Sequence, residues 1–216
     1  VVIAFQSAPK LLERFAGLPE FEPLDSLAGF RRISGGASSS AGFDPLFFGV
    51  SNDRNQSDEI LEDQVRMAPC ASLFGDGLRS SGSVPIAMFS EYYCPYCKVL
   101  MRRLNALAEE LGDDINITWH EIPILGENSV LAAKAALAAK RQGAYLDFQQ
   151  SLFGPIVADA QYLKRLSERV GIDPERLMRD MNSAEVAREL AVTSAIYRVF
   201  GFVGTPALVV GRTAVQ

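Results

Sequence analysis

The fold is decided by the stretch Phe89-Ser90-Glu91-Tyr92-Tyr93-Cys94-Pro95-Tyr96-Cys97. It continues an apolar run, Val84 to Phe89, of the kind that forms a central strand buried on both faces. Beyond the cysteines, leucines recur at helical spacing until Gly112, which predicts an amphipathic helix that ends there. The sequence therefore predicts that the cysteine pair lies where a strand joins the N-terminus of a helix.

A C-x-x-C pair in this position favours thiol chemistry. The free N–H groups and the positive dipole end of a helix N-terminus stabilise a thiolate, which is the form that attacks a disulfide. Pro95 suits the first helical turn because its missing N–H costs no hydrogen bond there. We interpret Cys94 as the exposed nucleophile and Cys97, one turn inside the helix, as the thiol that resolves a mixed disulfide with Cys94.

The same pair could also be half of a zinc site, or two unrelated core cysteines. A structural zinc site needs four ligands, whereas the chain has no second cysteine pair and its only histidine is His120. A disulfide-stapled domain usually carries more cysteines, in even number. We expect Cys70 to be a small buried hydrophobe, with a link between two chains or a transient pairing with the active site as the alternatives. We expect His120 to be structural. The sequence predicts neither a metal nor a cofactor.

The rest of the C-terminal part follows a regular order of strands and helices. Ile115 to Trp119 alternates apolar and polar residues and predicts a second strand, which completes a βαβ unit. Several helical periods follow, the last of them opened by Asn182 and Glu185 as a capping box. Ala207 to Val215 then predicts a tight β-hairpin. The predicted fold class is therefore α/β, with a helical insertion at about residues 128–201 between the βαβ unit and the hairpin.

Residues 1–80 differ in composition and predict an irregular N-terminal extension. They include a low-complexity patch, Ser34 to Gly42, that is typical of an exposed loop. The segment Phe43 to Phe48 is too apolar to be left in water, so we expect it to dock on the main domain or on a partner. A short helix is predicted from about Asp58 to Met67. The predicted division is an extension at 1–80, mostly loop, and a domain at 81–216 that folds without it.

The overall composition is that of a globular protein and argues against two classes of function. Apolar residues make up 48% and charged residues 22%, so the chain can build a core without staples. The net charge is −5, with no basic block that could follow a phosphate backbone, so we do not expect a nucleic-acid partner. The chain contains no run of about 18 apolar residues, so the sequence does not predict a transmembrane helix. The apolar start, Val1 to Phe5, fits either a first strand or the tail of a removed export signal or anchor.

A second motif, Gly204-Thr205-Pro206-Ala207, directly precedes the predicted hairpin. Together with the cysteine stretch and the helical insertion, it resembles the DsbA-like thioredoxin-fold thiol–disulfide oxidoreductases over about residues 82–216. The resemblance implies that Pro206 follows a cis peptide bond opposite the cysteines. It also implies that Thr205 offers its backbone to a substrate chain.

Three further side chains would shape the site in such a protein: Pro95, Tyr96 and Glu91. The strongest oxidants of the family carry histidine where this chain has Tyr96, so we expect this protein to be a weaker oxidant. Glu91 is expected to be either a buried acid that tunes the thiol pKa and relays protons, or an exposed acid at a strand end.

The resemblance implies a dithiol oxidase that exchanges disulfides with protein or peptide thiols and is restored by a redox partner protein. It also implies a periplasmic or otherwise extracytoplasmic location, with membrane anchorage through a preceding N-terminal segment as one option. The alternative within the family is a disulfide isomerase or reductase, which could form a homodimer through the extension. The alternative from another class is a copper-binding or chaperone module in which Cys94 and Cys97 hold a soft ion such as Cu(I).

Overall fold

The computed structural model describes residues 20–34, 56–75, 82–153 and 159–216. The described chain contains strands and helices, and a short 3-10 turn (Gly112–Asp114) follows the helix after the cysteines. The elements are, in chain order, β1 (Glu20–Pro23), β2 (Arg31–Ser34), α1 (Gln56–Met67), α2 (Pro69–Phe74), β3 (Val84–Ser90), α3 (Pro95–Leu111), β4 (Ile115–Glu121), α4 (Glu127–Lys140), α5 (Tyr145–Leu152), α6 (Ala160–Val170), α7 (Pro174–Asp180), α8 (Ala184–Val199), β5 (Ala207–Val210) and β6 (Thr213–Val215).

The six described strands form one mixed sheet in the order β1-β2-β6-β5-β3-β4. Strand β3 lies between β4, to which it is parallel, and β5, to which it is antiparallel. Strands β5 and β6 form a hairpin, and helices α4 to α8 lie in the chain between β4 and β5. The predicted α/β fold, with a helical insertion between a βαβ unit and a hairpin, is confirmed.

Strand β3 is the centre of the core, as its apolar sequence predicts. Successive side chains of a strand point to opposite faces, and here they enter two separate clusters. Met88 packs with α3 and the insertion helices in the first core. Ala87 and Phe89 pack with α8 and the N-terminal elements in the second core. All three are fully buried. The strand therefore contributes to both hydrophobic cores and leads directly to the cysteine pair.

Helix α3 places the cysteines. Its buried residues Cys97, Met101 and Leu104 recur at helical spacing and face the first core. The helix ends at Gly112, whose φ of 54° lies in the left-handed region that glycine adopts without strain. Both ends agree with the sequence prediction, and Cys94 is the N-cap residue.

The start of α8 corrects one detail of the prediction. The N-cap is Ser183, whose Oγ accepts a hydrogen bond from the N–H of Val186 at 3.3 Å. Asn182 instead donates from its side-chain amide to the carbonyl oxygen of Met178, near the end of α7, at 3.4 Å. The predicted capping box with Asn182 is therefore wrong, because that amide bonds to the preceding helix while the serine hydroxyl caps the next one.

The described part of the N-terminal extension is more regular than predicted. The predicted helix is confirmed as α1, but α2 and two strands are present as well. Strand β2 pairs in parallel with β6, and β1 pairs with β2. The sequence gives no local sign of these strands, because β2 takes its place in the sheet from a partner far along the chain. The segments Val1 to Phe5 and Phe43 to Phe48 lie outside the described residues.

The extension packs on the rest of the protein through apolar side chains and ion pairs. Arg198 of α8 donates to Glu62 at 2.7 Å and to Asp58 at 3.3 Å, both on α1. Six apolar side chains from the described part of the extension are buried in the second core: Leu24, Leu27, Phe30, Val65, Leu73 and Phe74. The extension therefore shares one core with β3 and α8.

His120 is buried where the extension, the sheet and α8 meet. Its ring stacks on Phe89 with the ring centroids 4.7 Å apart. Its Nε2 lies 2.8 Å from the carbonyl oxygen of Leu73 in α2, and its Nδ1 lies 3.4 Å from Oγ1 of Thr193 in α8. Burial lowers the pKa of His120 to about 4, so the ring is neutral at pH 7. These contacts give His120 a structural role.

Acidification is expected to destabilise the protein through His120. Its pKa is about 4 in the folded protein and about 6.5 in the unfolded chain, so the unfolded state binds more protons between these values. Stability from the neutral ring is complete above about pH 6.5 and falls as the pH drops towards 4, by up to about 3 kcal/mol. A neighbouring carboxyl group, Glu121, has a raised pKa and acts with the opposite sign.

The measurement is therefore the difference in free energy of unfolding between the wild type and His120→Gln, which cannot titrate. We expect the wild type to be the more stable at pH 7 and its advantage to shrink towards pH 4. A difference that does not change with pH would contradict the prediction.

Candidate active site

Cys94 lies at the predicted junction between β3 and α3. Its Sγ accepts a hydrogen bond from the N–H of Cys97 at 3.4 Å, as an N-cap side chain does. The thiol of Cys94 also donates to the carbonyl oxygen of Thr205 at 3.4 Å. Both cysteines are free thiols in this structure. The Cys94 sulfur is thus held between the helix N-terminus and the chain segment before β5.

The two cysteines lie at different depths. Cys97 is fully buried, whereas Cys94 is 7% exposed. The order of depth agrees with the prediction, but Cys94 is less exposed than predicted, because the segment that carries Thr205 lies against its sulfur.

The surroundings of the two thiols shift their pKa values in opposite directions. A hydrogen bond from the Cys97 thiol lowers the pKa of Cys94 to about 6, with further help from backbone N–H groups at the start of α3 and against the effect of partial burial. The same hydrogen bond, together with burial, raises the pKa of Cys97. At neutral pH the proton therefore stays on Cys97 and the negative charge on Cys94.

The segment before β5 completes the site. The Thr205–Pro206 peptide bond is cis, which is the geometry that the resemblance implies. The carbonyl oxygen of Gly204 holds this segment by accepting hydrogen bonds from the hydroxyl of Tyr197 at 2.9 Å and from Nε2 of Gln216 at 2.5 Å. The fold thereby brings Thr205 against a cysteine 111 positions earlier in the chain.

Glu91 is a buried acid rather than an exposed one, with 1% of the residue accessible. Its carboxylate accepts hydrogen bonds from the backbone N–H groups of Tyr93 at 3.0 Å, Ile124 at 2.8 Å and Leu125 at 3.3 Å. Burial raises the pKa of Glu91, and these hydrogen bonds oppose the shift. Its backbone carbonyl also accepts from the N–H of Cys94 at 3.2 Å. Glu91 therefore ties the loop before the reactive cysteine to the loop after β4.

The residues between the cysteines present apolar surface. Pro95 is the first residue of α3, and Tyr96, which follows it, is 58% exposed. Two more large apolar residues, Val99 and Val203, are exposed within two positions of a site residue. Exposed apolar side chains therefore lie close in sequence to the reactive pair and to Thr205.

Sequence reasoning missed one buried acid near the reactive loop, Glu121 at the end of β4. Its Oε1 accepts hydrogen bonds from the hydroxyls of Tyr92 at 2.7 Å and Tyr145 at 2.5 Å. Burial raises the pKa of Glu121 to about 7. The sequence signal for this residue is its place in the strand: β3 and β4 are parallel, with Glu121 paired to Ser90. It therefore ends its strand at the same edge of the sheet as the cysteine loop.

The unequal pair of thiols is suited to the exchange of thiols and disulfides, which needs a nucleophilic thiolate and a second thiol that resolves the mixed disulfide. Within the described ranges, no group of three or more His, Cys, Asp and Glu side chains is arranged to hold a metal ion. Placed at the end of β3, between β4 and β5 in the sheet, the pair is the site of a thioredoxin-fold thiol–disulfide oxidoreductase.

Comparison with known proteins identifies the family. The family model of the DSBA-like thioredoxin domain matches residues 85–216, more than half of the chain. The crystal structure of a thioredoxin-like oxidoreductase from Silicibacter pomeroyi DSS-3 has 35% sequence identity and a TM-score of 0.61, and the match covers 68% of this chain and 88% of that chain. The chain belongs to the DSBA-like thioredoxin domain family, whose activity is thiol–disulfide exchange.

Two further solved structures share the fold. The thiol-disulfide exchange protein alpha-DsbA2 from Wolbachia pipientis is 22% identical, with a TM-score of 0.61 over 74% of this chain and 90% of that chain. A periplasmic thioredoxin-like protein from Salmonella enterica serovar Typhimurium is 25% identical, with a TM-score of 0.55 over 67% of this chain and 86% of that chain. No curated protein matches the chain. In the part of the chain that the structure describes, no helix has the length and apolar character needed to cross a membrane.

Proposed function

We propose that the protein is a dithiol oxidase of protein or peptide substrates, with Cys94 as the nucleophile and Cys97 as the resolving thiol. The observation that carries this proposal is the position of Cys94 at the N-cap of α3, where its Sγ accepts the N–H of Cys97 at 3.4 Å and a hydrogen bond from the Cys97 thiol lowers its pKa to about 6. A thiolate stabilised in this way favours the reduced form of the enzyme, so that the disulfide form tends to take electrons from a substrate.

In the proposed reaction, the enzyme begins with a disulfide between Cys94 and Cys97. A substrate thiolate attacks the sulfur of Cys94, the enzyme disulfide breaks, and Cys97 leaves and takes up a proton. A second substrate thiolate then attacks the substrate sulfur of the mixed disulfide, and Cys94 leaves as a thiolate. The substrate loses two electrons and gains a disulfide. A redox partner protein accepts these electrons by the same exchange and restores the enzyme disulfide.

We assign the other site residues to docking and positioning. Thr205 and Pro206 border the Cys94 sulfur, and the backbone of Thr205 is the polar edge that an extended substrate chain would meet. Tyr96 supplies exposed apolar surface that suits a partly unfolded protein substrate, and Pro95 begins the helix. Glu91 holds the reactive loop in place.

The equilibrium reduction potential against glutathione tests the proposal against a reductase. Thioredoxin and DsbA have nucleophile pKa values of roughly 7 and 3.5, and potentials of about −270 and −120 mV. A Cys94 pKa of about 6 therefore predicts a potential between these two. A potential at or below that of thioredoxin would favour a reductase instead. Copper competition tests the metal-binding alternative, in which the pair would supply two thiolate ligands.

Replacing Tyr96 with histidine is expected to make the protein a stronger oxidant. A histidine can add a positive charge and hydrogen-bond donors beside the Cys94 thiolate, whereas a phenol carries no positive charge. We expect the pKa of Cys94 to fall and the reduction potential to rise together, by about 30 mV for each pKa unit. Thiolate absorbance against pH and glutathione titration measure the two quantities. Tyr96→Phe is the matched control and should change neither, and a potential that stays the same or falls in Tyr96→His would contradict the prediction.

We further propose that the enzyme works outside the cytoplasm, where disulfides persist. The Salmonella relative, which is periplasmic, supports this location. Membrane anchoring and a homodimer formed through the extension remain predictions. In the described part of the extension, Ile60 and Met67 of α1 are exposed apolar residues available for a dimer contact. Equilibrium sedimentation of the full chain tests the dimer.

A further inference from the structure

A buried carboxyl group links the reactive loop to the helical insertion and has no part in the proposed exchange steps. Glu121 ends β4, and its Oε1 accepts hydrogen bonds from two phenols. Tyr92 lies in the loop, two residues before Cys94, and Tyr145 is the first residue of α5. The hydroxyl of Tyr145 in turn accepts a hydrogen bond from Nε2 of Gln149 at 2.9 Å. The sheet, the reactive loop and the insertion therefore meet at one oxygen atom.

The second oxygen of this carboxyl group is in a different situation. Oε2 of Glu121 is buried and has no hydrogen-bond partner among the described residues. Glu91, the other buried acid near the loop, accepts three backbone N–H groups that favour its charged form. Glu121 has only the two phenols, so burial, together with the charge of Glu91, raises its pKa to about 7. Of these two acids, Glu121 is therefore the one placed to gain or lose a proton near neutral pH.

We propose that Glu121 is a positioning residue for thiol exchange: its carboxylate holds Tyr92 and Tyr145 together, and protonation of that carboxylate loosens the loop that carries Cys94. Hydrogen bonds to an ionised acceptor are shorter and roughly twice as strong as those between neutral groups. Loss of the charge therefore weakens both phenol contacts at once. Because one residue separates Tyr92 from Cys94, the change reaches the N-cap geometry that stabilises the thiolate. The inference rests on the proposed role of Cys94 as the nucleophile.

The groups around Glu121 set the range in which it titrates. The titratable and charged groups on the neighbouring elements are Glu91 and Tyr92 of the reactive loop, Tyr145 of α5, Glu189 of α8 and Lys140 of α4. Lys140 and Glu189 are paired with each other at 2.6 Å, and the charge of Glu189 contributes to the raised pKa of Glu121. His120 precedes Glu121 on β4, so its side chain points to the opposite face of the sheet, where it stacks on Phe89.

The test is the rate at which iodoacetamide alkylates Cys94 in the full chain as a function of pH, read at the Cys94 peptide by mass spectrometry. In the wild type we expect a first step at about pH 6 from the thiol itself. A second step is expected at about pH 7 from Glu121. Here the alkylation rate should rise roughly threefold as the carboxyl group ionises, which is equivalent to half a pKa unit of the Cys94 thiol. Glu121→Gln keeps an acceptor oxygen in place but cannot ionise, so it should show only the first step.

Two further variants make the test specific. Tyr145→Phe removes one phenol donor that favours the ionised carboxyl, so the second step should move to higher pH. This variant decides the question if Glu121→Gln fails to fold. Glu189→Gln is the matched control, because it removes a nearby charge without touching the phenols and should keep the second step at a slightly lower pH.

A second step that persists unchanged in Glu121→Gln, or a Tyr145→Phe profile identical to the wild type, overturns the inference. The readout needs no protein substrate, which keeps it separate from the test of the proposed function. Absence of the first step would count against Cys94 as the nucleophile, whereas absence of the second step alone counts only against Glu121.

Discussion

Replacing Cys94 with serine is expected to abolish thiol exchange, with a loss of at least about a thousandfold in rate. A serine hydroxyl is not ionised near neutral pH, whereas the Cys94 thiol has a pKa of about 6. Its sulfur also accepts the N–H of Cys97 at the start of α3, so the negative charge that attacks or leaves during exchange is stabilised at this atom. The oxidation of a dithiol peptide by the full chain measures the loss.

Replacing Cys97 instead is expected to stop the reaction halfway. Cys97→Ser cannot form the enzyme disulfide, so it should not oxidise a dithiol peptide. When Cys94 attacks a substrate disulfide instead, the variant should accumulate mixed disulfides between Cys94 and the substrate, because the buried thiol that releases the substrate in this direction is missing. Cys70→Ser is the matched control, since Cys70 is a free, half-buried cysteine packed against the second core, and it should keep the wild-type rate. Normal exchange in Cys94→Ser would show that the nucleophile is assigned wrongly.

Removing residues 1–80 is expected to unfold the protein or leave it markedly unstable. The deletion removes the six buried apolar side chains of the extension from the second core. Truncating one such side chain typically costs about 2–5 kcal/mol, whereas a whole domain is stable by only about 5–15 kcal/mol. Strand β6 also loses its partner β2, and Arg198 loses its ion pairs with α1. The sequence predicts the opposite result, that residues 81–216 fold by themselves, because the complete pattern of strands and helices begins only near Val84.

Thermal unfolding of the 81–216 fragment beside the full chain measures this effect. A chain that lacks only residues 1–19 is the matched control, because it keeps β1, β2, α1 and α2. We expect the control to unfold cooperatively and to retain thiol exchange. A folded and redox-active 81–216 fragment would support the independent domain that the sequence predicts.

The sequence by itself determined the centre of the fold and the place of the reactive pair. The apolar run before the cysteines predicts β3, and the leucine period after them predicts α3, because each pattern repeats at the spacing of the element it forms. The position of Cys94 at the N-cap follows from the same two patterns. It is a local property, set by residues within a few positions of one another.

Only the tertiary structure decided which distant groups meet around that pair. Thr205 contacts Cys94 from 111 positions away, and Glu121 receives two phenols from 29 and 24 positions away. A single acid or a four-residue strand has too little periodicity to reveal its partner. Such contacts depend instead on how whole elements pack. The extension shows the same limit: its composition resembles that of a loop, yet a few of its apolar side chains complete a core that β3 and α8 do not fill alone.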